Sequence, residues 1–599
     1  MADFAAVIDP DPERRSRFCA AARRSVALRD DLVAGDVALG TFAAVWAAAP
    51  TAPVDVHRGT EGVAVVWGDA LPPSGSKPMG AAGILDSWCR DGCSTAADGF
   101  HAALAAAADG SLVAGGDLLG LFPIYHWSGP GDVVVVASSP DLIACHPSFR
   151  AALSHSGLAG VLLTGGSLEG LTLWADVRRL APGHQLRVRP GRRPEEILQH
   201  SLPVAGPGLI PPVDVAEALH ETLSRAVGRL VRPGRSHALL LSGGRDSRLL
   251  AGTLSTLGLP YGAQTLGRPS DHEARCARGV TRALGVERRL GEVPMERFAA
   301  HARLHARAEH LMGNASGLHT WGIGELFGPD VDAVVSGYDL ELACGGVHLA
   351  WAGAEEDGLP SWQGLRRTIA EHALGVTALD RLIRDPELSD AVHAAETGLE
   401  ARFLSYGETD EARARGFIWE HWARHHPGAI PWRLSFSAWP VLPVLDRELL
   451  ALGARLPAAA TIARGAQDAV LRRYHPKLSR VPLVRTSGTH EPLDPGPGWA
   501  VARAVDRLRT EALYRVPRGG RPAPERRYYR RMYDLDNDGW VGVRRAAEPF
   551  RDRLHDLFDA DALADLLPPP DRPLRLERPI AHGYGRKTLL GLMLWAGRE

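Results

Sequence analysis

The stretch Leu239–Ser247 reads Leu-Leu-Leu-Ser-Gly-Gly-Arg-Asp-Ser, and it decides the fold of the second half of the chain. An apolar strand, His237–Leu241, is predicted to run into a turn of small residues and then into the helix Arg248–Leu257. Gly243 and Gly244 carry no side chain, so the backbone there can approach a bound group closely. The start of a helix favours anions, because its first N–H groups are unpaired and its dipole is positive there. The stretch predicts a site for the phosphates of a nucleotide, the alternative being an ordinary strand-to-helix turn.

The turn is not a Walker loop, because no glycine-lysine pair followed by serine or threonine is present. It resembles the PP-loop of enzymes that split ATP between its α and β phosphates and so make adenylates. In that resemblance Asp246 and Ser247 open the helix beside the phosphates. The implied ATP-binding residues of the loop are Leu241, Ser242, Gly243, Gly244, Asp246 and Ser247.

Strand and helix patterns alternate after this loop. The predicted strands are Tyr261–Leu266, Glu287–Gly291 and Val331–Ser336, and the predicted helices are a segment ending at Leu284 and Pro294–Glu309. Ser270 and Glu273 form a capping box that predicts the start of the first of these helices. Alternation at this spacing predicts a parallel sheet with helices on its faces.

The carboxyl ends of the predicted strands carry small polar residues. In an open parallel sheet these ends meet at one edge, where ligands bind. Thr265 and the pair Ser336-Gly337 are therefore predicted to join Ser242 around one nucleotide. The alternative is that Thr265 and Ser336 only cap helices.

Three further stretches resemble asparagine synthetases and their relatives. They are Gly116–Tyr125 (Gly-Asp-Leu-Leu-Gly-Leu-Phe-Pro-Ile-Tyr) with Val134–Asp141 behind it, Asp176–His184 (ending in Leu-Ala-Pro-Gly-His), and Pro440–Pro457 (containing Pro-Val-Leu-Asp-Arg). They occur in the order found in that family, and other PP-loop enzymes lack the first two. The chain is therefore identified as a member of the asparagine synthetase superfamily.

The resemblance implies a two-domain fold of α/β and α+β type. Residues 1–205 are expected to form an amidotransferase-like sandwich of the Ntn type, with layers in the order αββα. Residues 213–599 are expected to form a PP-loop adenylating domain with a parallel sheet and many helices. The stretch Leu202–Pro212, rich in proline and glycine, is the predicted linker, and 599 residues are too many for one core.

The first domain lacks the nucleophile of glutamine-dependent members, which carry cysteine directly after the initiator methionine. Position 2 is Ala2, and the next cysteine is Cys19. Without a thiol to accept the acyl group of glutamine, this degenerate domain is expected to release no ammonia. Family members built in this way include lasso peptide macrolactam cyclases and β-lactam synthetases. Both adenylate a carboxylate and close it onto an amine of the same substrate.

The segment Ser336–Gly346 departs from the asparagine synthetase pattern at two positions. Tyr338 stands where the family has a glutamate, and β-lactam synthetases carry tyrosine there as part of a base dyad. Tyr338 is thus the candidate base for the attacking amine, provided that a neighbour lowers its pKa from about 10. The alternative is a tyrosine that packs against the end of the sheet.

The same resemblance implies that Mg²⁺ is bound by Asp246 and by Glu341, which replaces the family's aspartate. Carboxylate oxygens suit this hard cation, which also binds phosphate oxygens. Asp339 could serve in place of Glu341, and the sequence leaves that choice open.

Lysine is rare in this chain, which contains only Lys77, Lys477 and Lys587. The family's lysine of the second domain is replaced by Asp468. Lys477 and Lys587 lie in segments flanked by proline or glycine, from which either could reach the adenylate and stabilise developing charge. Lys587 is the preferred catalytic candidate, and a surface location is the alternative for both.

Composition restricts the environment and the partners. The formal charge of −2 gives no bulk electrostatic reason for nucleic-acid or membrane binding. Cys89 and Cys93 have no second pair to complete a zinc site, so all six cysteines are expected to be reduced thiols in the cytoplasm. The N-terminus lacks the pattern of a signal peptide. The longest apolar run near the end, Thr588–Gly597, has about half the length that a membrane span needs.

The expected activity is that of an ATP- and Mg²⁺-dependent, AMP-forming carbon–nitrogen ligase. A carboxylate attacks the α-phosphate, pyrophosphate leaves, and an amine displaces AMP. A lasso-type macrolactam cyclase is favoured, with a precursor peptide as substrate and with a peptidase and a leader-peptide-binding protein as partners. The alternatives are a small-molecule amide or β-lactam-type synthetase, a non-catalytic nucleotide-binding relative, and a glutamine-dependent asparagine synthetase.

Overall fold

The computed structural model describes most of the chain. The described residues are 2–90, 96–206, 208–313, 315–354, 359–425, 428–484, 490–501, 503–505, 508, 526–574, 576 and 583–598. They form a mixed α/β structure with two antiparallel sheets of six strands, one parallel sheet of five strands and many helices.

Twelve strands of the first part of the chain form the two antiparallel sheets. Their bounds are β1 Ala2–Ile8, β2 Val33–Leu39, β3 Phe42–Ala48, β4 Val54–Arg58, β5 Gly62–Gly68, β6 His101–Ala107, β7 Leu112–Gly116, β8 Tyr125–Ser128, β9 Val134–Ala137, β10 Arg178–Arg179, β11 His184–Val188 and β12 Glu195–Leu198. The strand order is β10-β8-β9-β1-β3-β2 in one sheet and β12-β11-β7-β6-β5-β4 in the other.

The two antiparallel sheets pack face to face through large apolar side chains. Phe4 of β1 stacks on Trp67 of β5 with ring centroids 4.5 Å apart, and both side chains are fully buried. Side chains of alternate positions point to opposite faces of a strand, so the outer faces meet helices instead. Phe18 of the helix Pro12–Ser25 covers one outer face, and Ile84 covers the other. The layers therefore follow the order helix, sheet, sheet, helix.

The parallel sheet contains β13 His237–Leu240, β14 Gly262–Leu266, β15 Arg288–Gly291, β16 Ala333–Val335 and β17 Trp439–Val441. Its order is β15-β14-β13-β16-β17, and every neighbouring pair is parallel. The chain moves outward from β13 to β15 on one side and then returns to place β16 on the other side. This reversal creates a crevice at the carboxyl ends of β13 and β16, which is where such sheets bind ligands.

The strands and helices predicted after the loop are present, with differences at the helix starts. The helix Arg245–Thr256 begins three residues before the predicted Arg248. The predicted Ser270–Glu273 capping box is wrong, because Asp271 is the N-cap and the Glu273 carboxylate accepts the N–H of Tyr528 instead. The contact that Glu273 makes thus joins the start of this helix to a segment from the far end of the chain.

The remaining helices cover the sheets or follow β16 and β17. They are Ala81–Leu85, Pro140–Ile143, His155–Thr164, Val215–Leu230, His272–Leu284, Phe298–Glu309, Leu340–Cys344, Val347–Trp351, Trp362–Glu371, Val376–Leu382, Pro386–Ser405, Asp410–Ile418, Ala429–Leu434, Arg447–Gly453, Ala458–Thr461, Gly465–Tyr474, Pro476–Ser479, Tyr528–Tyr533, Asp538–Ala547, Ala560–Leu566 and Tyr584–Ala596. Shorter 3₁₀ or π turns occupy Asp86–Arg90, Met295–Arg297, Ala315–Leu326, Trp419–Ala423, Pro443–Leu445, Ile462–Arg464 and Glu548–Leu554. A short antiparallel pair joins Leu483–Val484 to His490–Glu491.

The apolar run predicted near the end of the chain forms the helix Tyr584–Ala596, which packs against the helix Phe298–Glu309. Within the described ranges, every helix is too short or too polar to span a bilayer. Between β12 and the helix Val215–Leu230, where the linker is predicted, the described residues form neither helix nor strand.

Candidate nucleotide-binding site

A cavity of about 290 Å³ lies at the carboxyl ends of β13, β14 and β16. Of the residues predicted from the sequence, it is lined by Leu241, Ser242, Asp246, Ser247, Ser336, Gly337, Tyr338, Asp339 and Glu341. Gln264, Glu273, Tyr528 and Tyr529 also line the cavity and were not predicted. The sequence gives no signal for the two tyrosines, since their helix lies more than 200 residues after the loop Ser242–Ser247.

The two serines of the loop fix its shape by bonding to each other. The hydroxyls of Ser242 and Ser247 lie 3.0 Å apart. Ser247 Oγ accepts the N–H of Ser242 at 3.1 Å, and Ser242 Oγ accepts the N–H of Gly244 at 3.1 Å. The loop is thereby held in one conformation beside the cavity.

The helix Arg245–Thr256 starts at this loop without a capping side chain. Gly244 is its N-cap residue and makes no side-chain cap hydrogen bond. The first N–H groups of a helix have no partner within the helix, so an uncapped start beside a cavity favours an anion. A phosphate group fits this chemistry.

The glycines of the site have different roles. A Cβ on Gly244 would meet only the Ser242 hydroxyl, 3.3 Å away. Packing therefore does not demand glycine at this position, where the lack of a side chain leaves space beside the loop. A Cβ on Gly243 would lie 2.7 Å from Val484 Cγ2, so packing against the strand Leu483–Val484 demands glycine at that position. Gly243 therefore shapes the loop from behind rather than facing the cavity.

The predicted strand-end residue Thr265 does not line the cavity. Thr265 is fully buried in β14, whereas its neighbours Gln264 and Leu266 line the cavity. Successive side chains of a strand point to opposite faces, so the side chain of Thr265 points away from the face that Gln264 and Leu266 share.

The two carboxylates predicted to bind Mg²⁺ both accept hydrogen bonds from one arginine. Arg464 Nη1 donates to Asp246 Oδ2 at 2.9 Å, and its Nη2 donates to Glu341 Oε2. Gln467 Nε2 donates to the other oxygen of Asp246 at 2.6 Å. Burial raises the pKa of Glu341 and the Asp246 carboxylate adds to this, while Arg464 opposes it.

This pair of carboxylates fits a divalent cation, since Mg²⁺ is usually held by one or two carboxylates together with substrate phosphates. Among the described residues no cluster of three or more metal-binding side chains occurs. Glu341 shares Arg464 with Asp246, while Asp339 lines the same cavity. Asp339 has a left-handed φ of 61°, and within the described part of the chain neither of its carboxylate oxygens has a hydrogen-bond partner.

Tyr338 lines the cavity, but its surroundings raise its pKa. Burial has the largest effect, and the nearby Tyr533 and Tyr528 add to it, while Arg433 opposes it. Arg433 therefore does not bring the pKa of Tyr338 below its ordinary value, as the role of a base would require. At neutral pH the phenol is a hydrogen-bond donor.

Neither predicted lysine lines the cavity. Lys587 is fully buried, donates to the carbonyl of Tyr533 at 2.7 Å, and faces the rings of Tyr533 and Trp540 at 4.6 and 4.8 Å. Burial holds the pKa of Lys587 well below its usual value. Lys477 lies exposed on the short helix Pro476–Ser479.

Arginines supply the positive charge beside the cavity instead. Arg464 bridges the two carboxylates, and Arg245 Nη2 donates to Asp468 Oδ2 at 3.0 Å. Asp468 thus neutralises an arginine that directly follows the two glycines of the loop. Sequence reasoning missed Arg464 because the turn that carries it has no recognisable motif.

We expect Gly337→Ala to weaken ATP binding about tenfold or more, because a side chain there collides with the loop helix. The added Cβ would lie 2.9 Å from Asp246 Cβ. Isothermal titration with ATP measures the effect. Gly228→Ala is the matched control, because a Cβ there meets no atom within 4 Å and should leave binding unchanged. Equal affinity of both variants for ATP would refute the close contact.

Comparison with protein-family models finds no match for this chain, and comparison with curated proteins finds no significantly similar sequence.

Proposed function

We propose that the protein is an ATP-dependent, AMP-forming carbon–nitrogen ligase of the asparagine synthetase type. One observation carries the proposal. An uncapped helix start follows the central strand of a parallel sheet and borders a cavity that also contains the carboxylate pair Asp246 and Glu341. The helix start suits phosphates, the carboxylate pair suits a divalent cation, and the same cavity has room beside them for an acyl group.

In the proposed adenylation, different groups of the cavity have different roles. The first N–H groups of the helix Arg245–Thr256 bind the phosphates that leave as pyrophosphate. Asp246 and Glu341 would hold Mg²⁺, which neutralises phosphate charge when bound. Tyr338 donates a hydrogen bond into the cavity and so orients the acyl group or the incoming amine.

We further propose that residues 1–205 form a degenerate amidotransferase domain without glutaminase activity. The helix–sheet–sheet–helix layering and Ala2 at the start of β1 support this assignment. Burial raises the pKa of each described cysteine, namely Cys19, Cys89, Cys145, Cys276 and Cys344, which disfavours the thiolate that attack on glutamine requires. Cys93 lies outside the described residues.

Because the proposed first domain releases no ammonia, the amine must come from elsewhere, and we propose that the substrate itself carries it. Closure of a peptide by its own N-terminal amine onto an Asp or Glu side chain, as in lasso peptide cyclases, is the favoured reaction. Its partners would be a precursor peptide, a peptidase and a leader-peptide-binding protein in the cytoplasm. A small-molecule carboxylate with an internal amine is the alternative substrate.

A second candidate function has one observation in its favour. Arg464 holds the position between Asp246 and Glu341 that a catalytic cation would need. A relative that binds nucleotide without cleaving it would show the same contact. Such a protein would bind ATP and release no pyrophosphate with any substrate.

Exchange of labelled pyrophosphate into ATP tests the proposal, with AMP rather than ADP as the expected nucleotide product. We expect Ser242→Ala to lower the exchange rate about tenfold to a hundredfold, because both hydrogen bonds of the Ser242 hydroxyl within the loop are lost. Ser255→Ala, an exposed serine of the same helix, is the matched control and should keep the parent rate. ADP release, or no exchange with any peptide or small acid offered, would contradict adenylation.

A further inference from the structure

The backbone has an unusual conformation at Arg464 and at the residue before it. Both Ala463 and Arg464 have left-handed conformations, with φ values of 53° and 65°. Left-handed conformations cost L-residues other than glycine about 1–2 kcal/mol each. Two such residues in a row, just before the helix Gly465–Tyr474, bring the guanidinium to the cavity.

The guanidinium contacts the two carboxylates that a divalent cation would need. It donates to Asp246 at 2.9 Å and also to Glu341, and both of these residues line the cavity. The side chain of Arg464 is 29% exposed, so burial does not lock it in this position. One arginine therefore supplies the positive charge that the pair would otherwise take from a metal ion.

We infer that Arg464 is the resident counter-ion of Asp246 and Glu341 and competes with the divalent cation for this pair. The inference rests on the proposed function, because that function places the cation there. It follows that the protein without nucleotide binds a divalent cation weakly. The cation then enters together with the phosphates, which supply further oxygen ligands and attract the displaced guanidinium.

Binding of Mn²⁺ alone, followed by electron paramagnetic resonance without nucleotide, tests this positioning role. We expect Arg464→Ala to bind Mn²⁺ about tenfold more tightly than the parent protein, since the competing charge is gone. Adding Glu341→Gln to that variant should abolish the gain. Arg464→Lys keeps a positive charge that cannot span both carboxylates, and it should lie between the parent and the alanine variant.

Arg531→Ala is the matched control, because Arg531 also bridges two carboxylates, Asp271 and Glu292. In that variant the Arg268 guanidinium still donates to Glu292 at 2.9 Å, and the backbone N–H of Arg268 still donates to Asp271 at 2.8 Å. We therefore expect no gain in Mn²⁺ affinity from this change.

Tight Mn²⁺ binding by the parent protein would overturn the inference. So would a gain in Arg531→Ala as large as in Arg464→Ala, or weak binding by both Arg464 variants while their thermal unfolding matches that of the parent. The two claims fail in different ways. If the proposed function is wrong, pyrophosphate exchange is absent while the Mn²⁺ affinities of the parent and Arg464→Ala still differ.

Discussion

Asp246→Asn is expected to lower the rate of pyrophosphate exchange about a thousandfold. Asp246 lies in the first turn of the loop helix, lines the cavity, and is held there by Arg464 at 2.9 Å and Gln467 at 2.6 Å. Asparagine keeps the size and the contact with Gln467 but removes the charge. Without that charge the proposed cation keeps only Glu341 as a carboxylate ligand, and Arg464 keeps only Glu341 as its ion-pair partner. The proposed adenylation would then lose part of the compensation for the phosphate charge.

Asp468→Asn is the matched control for this prediction. Asp468 is also a carboxylate beside the loop, but it pairs with Arg245 and does not line the cavity. We expect its exchange rate to stay within about tenfold of the parent. A parent-like rate in Asp246→Asn would remove Asp246 from the reaction and with it the assigned metal position.

Glu309→Gln is expected to lower the free energy of unfolding by about 3–5 kcal/mol, because it leaves a buried guanidinium without its counter-charge. Glu309 accepts two hydrogen bonds from Arg433, at 2.6 and 2.8 Å, and both side chains are almost completely buried. Arg433 also donates to the carbonyls of Gly313 and Gly317 at 2.8 and 2.9 Å. These neutral acceptors cannot replace a carboxylate.

Urea unfolding of parent and variant at pH 7 measures this loss. Glu13→Gln is the matched control, since Glu13 and its partner Arg17 are 74% and 67% exposed and such pairs contribute at most about 1 kcal/mol. Equal midpoints for Glu309→Gln and the parent would show that the buried pair does not stabilise the fold.

The same pair predicts the direction of a pH dependence. Burial alone would raise the pKa of Glu309, but Arg433 and His305 outweigh it and hold the pKa at about 2, below the ordinary 4.5. A carboxyl with a lowered pKa binds fewer protons in the folded state, so its stabilisation is complete above about pH 4.5 and is lost as the pH falls towards 2. The difference in stability between the parent and Glu309→Gln should shrink over that interval.

The loop and its strand could be predicted because they are local. Ser242, Asp246 and Ser247 are within six residues of one another, so the order of strand, glycines and helix fixes their positions relative to the backbone. The same holds for Ser336, Gly337 and Tyr338 after β16. Sequence alone did not fix which side chains of β14 face the crevice, so it did not show that Gln264 and Leu266 line the cavity and Thr265 does not.

The charges around the cavity could not be predicted, because they come from distant parts of the chain. Arg464 meets Asp246 across 218 positions, and Asp468 meets Arg245 across 223. Nothing in the local pattern of either segment encodes the other. Lys477 and Lys587 were predicted as catalytic candidates because lysine is rare in this chain. Packing instead places Lys587 among aromatic rings and Lys477 on the surface.

By itself, the sequence determined the strand–loop–helix that borders the cavity and the presence of alanine at position 2, since both are properties of adjacent residues. Only the tertiary structure decided which charges share the cavity, how far each is buried, and therefore which pKa values rise or fall. Burial and Coulomb interactions depend on distance in space rather than along the chain. For that reason the pairing of Arg464 with Asp246 and Glu341 emerges only from the folded protein.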